Sequence, residues 1–61
     1  MSISKIKKIR LEKGLTQQKL ADVIGVKQQH IQRWESGKFK PKTDKLVLIA
    51  KALNCEITDL I

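Results

Sequence analysis

The stretch Thr16–Gly37, TQQKLADVIGVKQQHIQRWESG, decides the fold. Thr16 is an N-cap candidate, and behind it Leu20, Ala21 and Ile24 recur at helical spacing while Gln17, Gln18 and Lys19 fall on the exposed side. Gly25 ends this helix and turns the chain, since glycine enters the left-handed region without a Cβ clash. A third helix then runs from about Gln28 to Ser36, with Ile31 and Trp34 one turn apart on the inner side and Gly37 as its stop. Two short helices joined at a glycine leave Gln28, Gln29, Gln32 and Arg33 on the outward face of the second.

The flanking segments supply a scaffold. Ser2 or Ser4 caps a first helix that carries Ile3, Ile6, Ile9 and Leu11 inward and stops at Gly14. Beyond Gly37 comes a basic loop, Lys38 to Lys42, which contains Phe39 and Pro41. Thr43 caps a fourth helix whose Leu46, Ile49, Ala50 and Leu53 follow the i, i+3, i+4, i+7 pattern of a buried stripe, widened by Val47 and Leu48. Asn54 suits a left-handed exit, and Glu56 to Ile61 form a short fifth helix. No segment alternates with strand period, so the expectation is an all-α, compact five-helix unit forming a single domain over residues 1–61.

Composition narrows the function. A chain of 61 residues, 41% hydrophobic and 31% charged, has one small core to bury and no room for an enclosed catalytic pocket. Thirteen Lys and Arg against six Asp and Glu give a net charge of +7, which favours a polyanion, with nucleic acid ahead of an anionic membrane. A membrane-bound amphipathic helix would leave its apolar residues exposed beside the lysines, whereas here they keep core spacing. Cys55 is the only cysteine and His30 the only histidine, so neither an intramolecular disulfide nor a zinc site can be assembled. A reducing cytoplasm is the expected location, with no cofactor and no small-molecule ligand. There is also no nucleophile–base pair or carboxylate pair to support catalysis.

The outward face of the third helix has the chemistry to read a duplex. Gln28 with Gln32 and Gln29 with Arg33 form two adjacent columns, each one turn apart. A Gln carboxamide pairs bidentately with adenine N6 and N7, and an Arg fork does so with guanine O6 and N7, each worth roughly 1–3 kcal/mol of discrimination. The plainer reading, that these are helix-favouring surface residues, explains each glutamine singly but not the set.

With these residues in view, the chain resembles the lambda-type, Cro/C1 helix-turn-helix family of phage repressors and Cro proteins. The resemblance spans essentially the full chain. It rests on LTQQKLA at the start of helix 2, the Gly25-Val26 turn, Ile31, the Trp34-Glu35-Ser36-Gly37 exit and the IAKALNCEITDL ending. It implies a lambda-repressor-like fold in which Gln28, Gln29 and Arg33 read bases with Lys27 beside them, and the column spacing adds Gln32 to that set. By the same resemblance Gln17, Lys38 and Lys40 would meet phosphates, a role suited to lysines and to helix N-terminal amides, and Thr16 and His30 are read as further phosphate neighbours. It also implies an ion pair between Arg10 and Glu35 that ties helix 1 to the end of helix 3.

Two departures qualify the carry-over. Lys27 stands where the family often has Ser or Thr, which weakens the cap of helix 3. Arg33 stands where the most similar member of the family has an amide, so a guanine opposite it is expected and identity with that member's operator does not follow. The partners implied are double-stranded operator DNA and a second copy of the chain, paired on half-sites about one helical turn, ~34 Å, apart. The basic loop and the last helix, with Ile57, Leu60 and Ile61, are the expected dimer contacts, and pairing in the absence of DNA stays open. A protein-interaction adaptor on the same fold, an antitoxin and a restriction–modification controller remain open as alternatives. Trp34 and Cys55 read as core residues, and Lys38 and Lys40 also read as plain solubilising charges.

Overall fold

The computed structural model describes residues 4–61, so Ser2 as a cap and Ile3 as a core residue lie outside the described residues. Four α-helices follow one another: α1 Lys5–Glu12, α2 Gln17–Ile24, α3 Gln28–Ser36 and α4 Thr43–Leu53. The expected fifth helix is a single 3-10 turn, Ile57–Asp59, which is a correction to the five-helix reading. Its six-residue segment is too short to close several i→i+4 bonds, and Glu56 and Asp59 instead cap each other across one turn.

The helix ends follow from capping chemistry. The Ser4 hydroxyl accepts from the Lys7 amide at 3.1 Å and the Thr16 hydroxyl accepts from the Lys19 amide at 3.0 Å, each satisfying an amide of a first turn. Helix α4 begins one residue earlier than expected in capping terms. Lys42 is the N-cap, without a side-chain bond, and Thr43 is the first helical residue. Gly25 and Gly37 close α2 and α3 at φ 79° and 81°, where any Cβ would be strained, and Asn54 closes α4 in the same region.

One apolar cluster holds the helices together. Leu20, Ile31, Ile49 and Leu53 are fully enclosed, with Ile6, Ala21, Ala50 and Leu60 around them. Helix α2 packs against both α3 and α4, and α1 closes the bundle against α3. Leu11 points to solvent instead of inward, because only Ile6, Ile9 and Arg10 of α1 face the bundle. Leu48 is exposed too, on the far side of α4 from Ile49 and Leu53. Trp34 and Cys55 are half-buried against the core. Burial, reinforced by the charge of Asp59, raises the Cys55 thiol above its ordinary value. Among the described residues no helix is long and apolar enough to cross a membrane.

Candidate nucleic-acid interface

Helix α3 is presented by the turn that precedes it. The amides of Gly25 and Val26 both donate to the Ala21 carbonyl, at 2.9 and 3.0 Å, which fixes the angle at which the chain leaves α2. Lys27 is extended and caps α3 only with its backbone carbonyl, accepting from His30 at 3.0 Å. Its side chain is exposed and makes no capping bond, so the ammonium is left for other partners. Ile31 is wholly enclosed, and this turns Gln29, His30, Gln32 and Arg33 to solvent. With side chains a helix is ~10–12 Å across, and the DNA major groove is about 12 Å wide, so this face can enter it.

The ends of α3 are tied down by polar groups. Arg10 and Glu35 are paired at 2.6 Å, their side chains only 6% and 3% exposed. Arg10 also donates to the other Glu35 oxygen at 3.1 Å and to the Leu15 carbonyl at 2.7 Å. Gln17 extends this cluster. Its amide donates to Glu35 at 3.0 Å, while its carbonyl oxygen accepts from the Gln28 amide at 3.3 Å. A continuous series of hydrogen bonds therefore runs from α1 through the end of α3 and the start of α2 back to the first residue of α3. No buried side-chain polar atom among the described residues lacks a partner, so the seam has the full satisfaction that a buried charge requires.

This arrangement revises two expectations. Gln17 is half-buried instead of exposed, because the first turn of α2 lies over the Arg10–Glu35 pair. Gln28 is half-buried as well, so it stands at the edge of the exposed face with its rotamer already held. Linear spacing gives no sign of this link, since the two glutamines are eleven residues apart on different helices. Amide side chains at the starts of two consecutive short helices are the one available clue.

The remaining expected positions are spread around this face. Thr16, Lys38 and Lys40 are exposed at the start of α2 and in the loop after α3. His30 is exposed, its ring tilted 37° against Trp34 with centroids 6.1 Å apart. The loop adds a residue that the sequence reading left aside. Phe39 is 58% exposed and its ring lies under the Arg33 guanidinium, 5.9 Å from the centroid. Leu60 packs into the core and, with Ile61, lines a shallow groove whose other walls include Phe39 and Pro41. Ile57 is half-buried and Ile61 exposed.

Sequence comparison agrees with this geometry: a helix-turn-helix family profile matches residues 6–60. The chain belongs to the helix-turn-helix family, of the Cro/C1 type. Helix-turn-helix proteins of this type are DNA-binding regulators and not enzymes. An uncharacterized HTH-type transcriptional regulator of Rickettsia conorii is 45% identical over 53 residues, which cover 87% of this chain and 42% of that protein. One from Archaeoglobus fulgidus is 35% identical over 57 residues, covering 93% and 81%. The HTH-type transcriptional activator BcrR of Enterococcus faecalis is 37% identical over 57 residues, covering 93% of this chain and 28% of that protein. The chain thus spans about two fifths of the length of its Rickettsia relative. The crystal structure of the clp gene regulator ClgR from C. glutamicum superposes with a TM-score of 0.85 at 23% identity, over 92% of this chain and 73% of that one, which shows the shared fold.

Proposed function

We propose that residues 1–61 form one sequence-specific, double-stranded DNA-binding domain of a transcriptional regulator, with α3 lying in the major groove of a two-fold symmetric operator. The observation that carries this reading is the face of α3. Gln29, Gln32 and Arg33 project into solvent from a helix whose Ile31 is fully enclosed and whose ends are anchored through Glu35 and Gln28. Side chains presented from so rigid a support lose little entropy on binding. Gln28, with its amide group supported by Gln17, and Lys27 extend the base-reading set to the N-terminal end of α3. Lys38, Lys40, His30, Thr16 and the N-terminal amides of α2 beside Gln17 lie where phosphates flank a helix seated in the groove.

One such unit buries too little surface for tight binding alone, and two copies on adjacent half-sites supply the rest. The pairing surface we favour centres on Ile61 and the half-buried Ile57. It is continued by a shallow groove of about 440 Å³ with Trp34, Pro41 and Leu46 in its walls. The regulator works in the cytoplasm and represses by covering its operator. Activation would follow from the same contacts at a differently placed site.

The decisive experiment is selection of bound duplexes from a randomised pool at two salt concentrations, since phosphate contacts make affinity fall with salt. Enrichment of a two-fold symmetric site, relaxed at single positions by Gln29→Ala and by Arg33→Ala, is the expected outcome. Salt-sensitive binding without enrichment would overturn the reading.

A further inference from the structure

We infer that Phe39 is a specificity-determining positioning residue, which holds the Arg33 guanidinium in place for the base that Arg33 reads. The inference rests on the proposed DNA-reading role of α3 and adds a residue from outside that helix.

The contact is built by the end of α3. The Ser36 hydroxyl donates to the Arg33 carbonyl at 2.7 Å and accepts from the Lys38 amide at 3.2 Å. Gly37, at φ 81°, reverses the chain between them. The start of the basic loop is thereby bonded to the very turn of α3 that carries Arg33, and Phe39, one residue further on, comes back against it. Its ring centroid lies 5.9 Å from the guanidinium carbon, within the ~6 Å reach of a cation–π contact. Arg33 has no carboxylate partner among the described residues, where Arg10–Glu35 is the one ion pair. The aromatic face is therefore the group available to order a long, exposed side chain.

Phe39 itself is poorly explained by packing. It is 58% exposed between two lysines, in a protein whose only other Phe, Tyr or Trp is Trp34. An apolar ring left in water at the border of a base-reading face has a physical use if it limits the rotamers of its neighbour. Arg carries a large side-chain entropy, and fixing its planar fork before binding leaves less to lose when it meets a base edge. The two ends of the reading face are then held in parallel fashion, Gln28 by Gln17 and Arg33 by Phe39.

The test is duplex selection with wild-type protein, Phe39→Ala, Phe39→Tyr, Arg33→Ala and the Phe39→Ala/Arg33→Ala double variant. It is joined to NMR of the Arg33 side chain in the free proteins, where ring current should move its Hδ and Hε signals upfield. In Phe39→Ala these signals should return to ordinary values. Preference for the favoured base should fall about two- to fivefold at the single position that Arg33→Ala relaxes, the range expected of an exposed cation–π contact. Phe39→Tyr should keep both properties, and Phe39→Ala should add nothing at that position once Arg33 is gone. Equal weakening toward all sequences, or no change in preference, would overturn the inference while leaving the reading role of α3 intact. A wild-type protein that enriches no site would overturn both. Wild-type Arg33 signals at ordinary shifts would overturn the positioning contact by itself. Because Phe39 is largely exposed, the melting temperature of Phe39→Ala should stay near that of wild type, separating this effect from unfolding.

Discussion

The middle of α3 and its two ends are held by different chemistry. At the middle, Ile31 shares one enclosed apolar cluster with Leu20, Ile49 and Leu53, an attraction that depends on area and hardly on direction. At the ends, Glu35 and Gln28 are held by bonds with defined donors, acceptors and angles, running through Arg10 and Gln17. Apolar burial sets how deep the helix sits. It also turns Ile31 inward and so sets the rotation of the helix coarsely, and the polar seam fixes that rotation more closely. A helix that must match the edges of base pairs needs both.

The comparison can be broken most severely at Glu35. Glu35→Ala leaves the Arg10 guanidinium buried without its counter-charge, which should destabilise the domain by about 3–5 kcal/mol. Thermal melting followed by circular dichroism should fall by roughly 10 °C or more in a domain of this size, and a shift of only a degree or two would show that the pair is not structural. Replacing both partners, as Arg10→Met with Glu35→Leu, should recover most of that stability because no orphan charge remains. If the seam sets rotation, base discrimination should stay impaired in the double variant. Full recovery of both would mean that the apolar cluster suffices.

Next comes the apolar middle. Ile31→Ala should cost about 2–5 kcal/mol through lost burial and the cavity left in a fully enclosed site. In urea titrations this should lower the midpoint with little change in slope, and a loss below 1 kcal/mol would show that the site collapses and that the core is looser than its geometry. Gln17→Ala should be milder, near 1 kcal/mol, since it removes two neutral-donor hydrogen bonds at a half-buried position. Its larger effect should fall on selection at the base met by Gln28, whose side chain it sets free. A uniform fall in affinity would assign Gln17 to phosphate binding alone. Leu11→Lys is the smallest effect, within about 0.5 kcal/mol, because that side chain faces solvent. A larger loss would place Leu11 against a surface not evident in the fold.

Much of this was legible in the linear chain because it is governed by local rules. Thr16 as a cap, Gly25 and Gly37 as stops, and the enclosed positions Leu20, Ala21, Ile31, Ile49 and Leu53 follow from capping chemistry, left-handed backbone and the 3.6-residue period. Leu11 was misjudged because periodicity marks a stripe without saying how far along a helix the neighbouring elements extend. The fifth helix was overestimated because three apolar residues in six satisfy a helical pattern even when the segment closes only one 3-10 turn. Leu60 raises a related point. An apolar residue near a chain end is needed by the core just as readily as by a partner, and only the packing distinguishes the two.

The sequence by itself determined the four α-helices, the glycine turn between α2 and α3, the positive charge and the amide-rich composition of α3, all of which depend on residues within a few positions of one another. The tertiary structure decided what those amides are attached to. It joined Gln17 to Gln28 and Glu35 across two helices and folded Phe39 back against Arg33, because hydrogen bonds and ring contacts are made at distances of a few ångströms that chain separation does not encode.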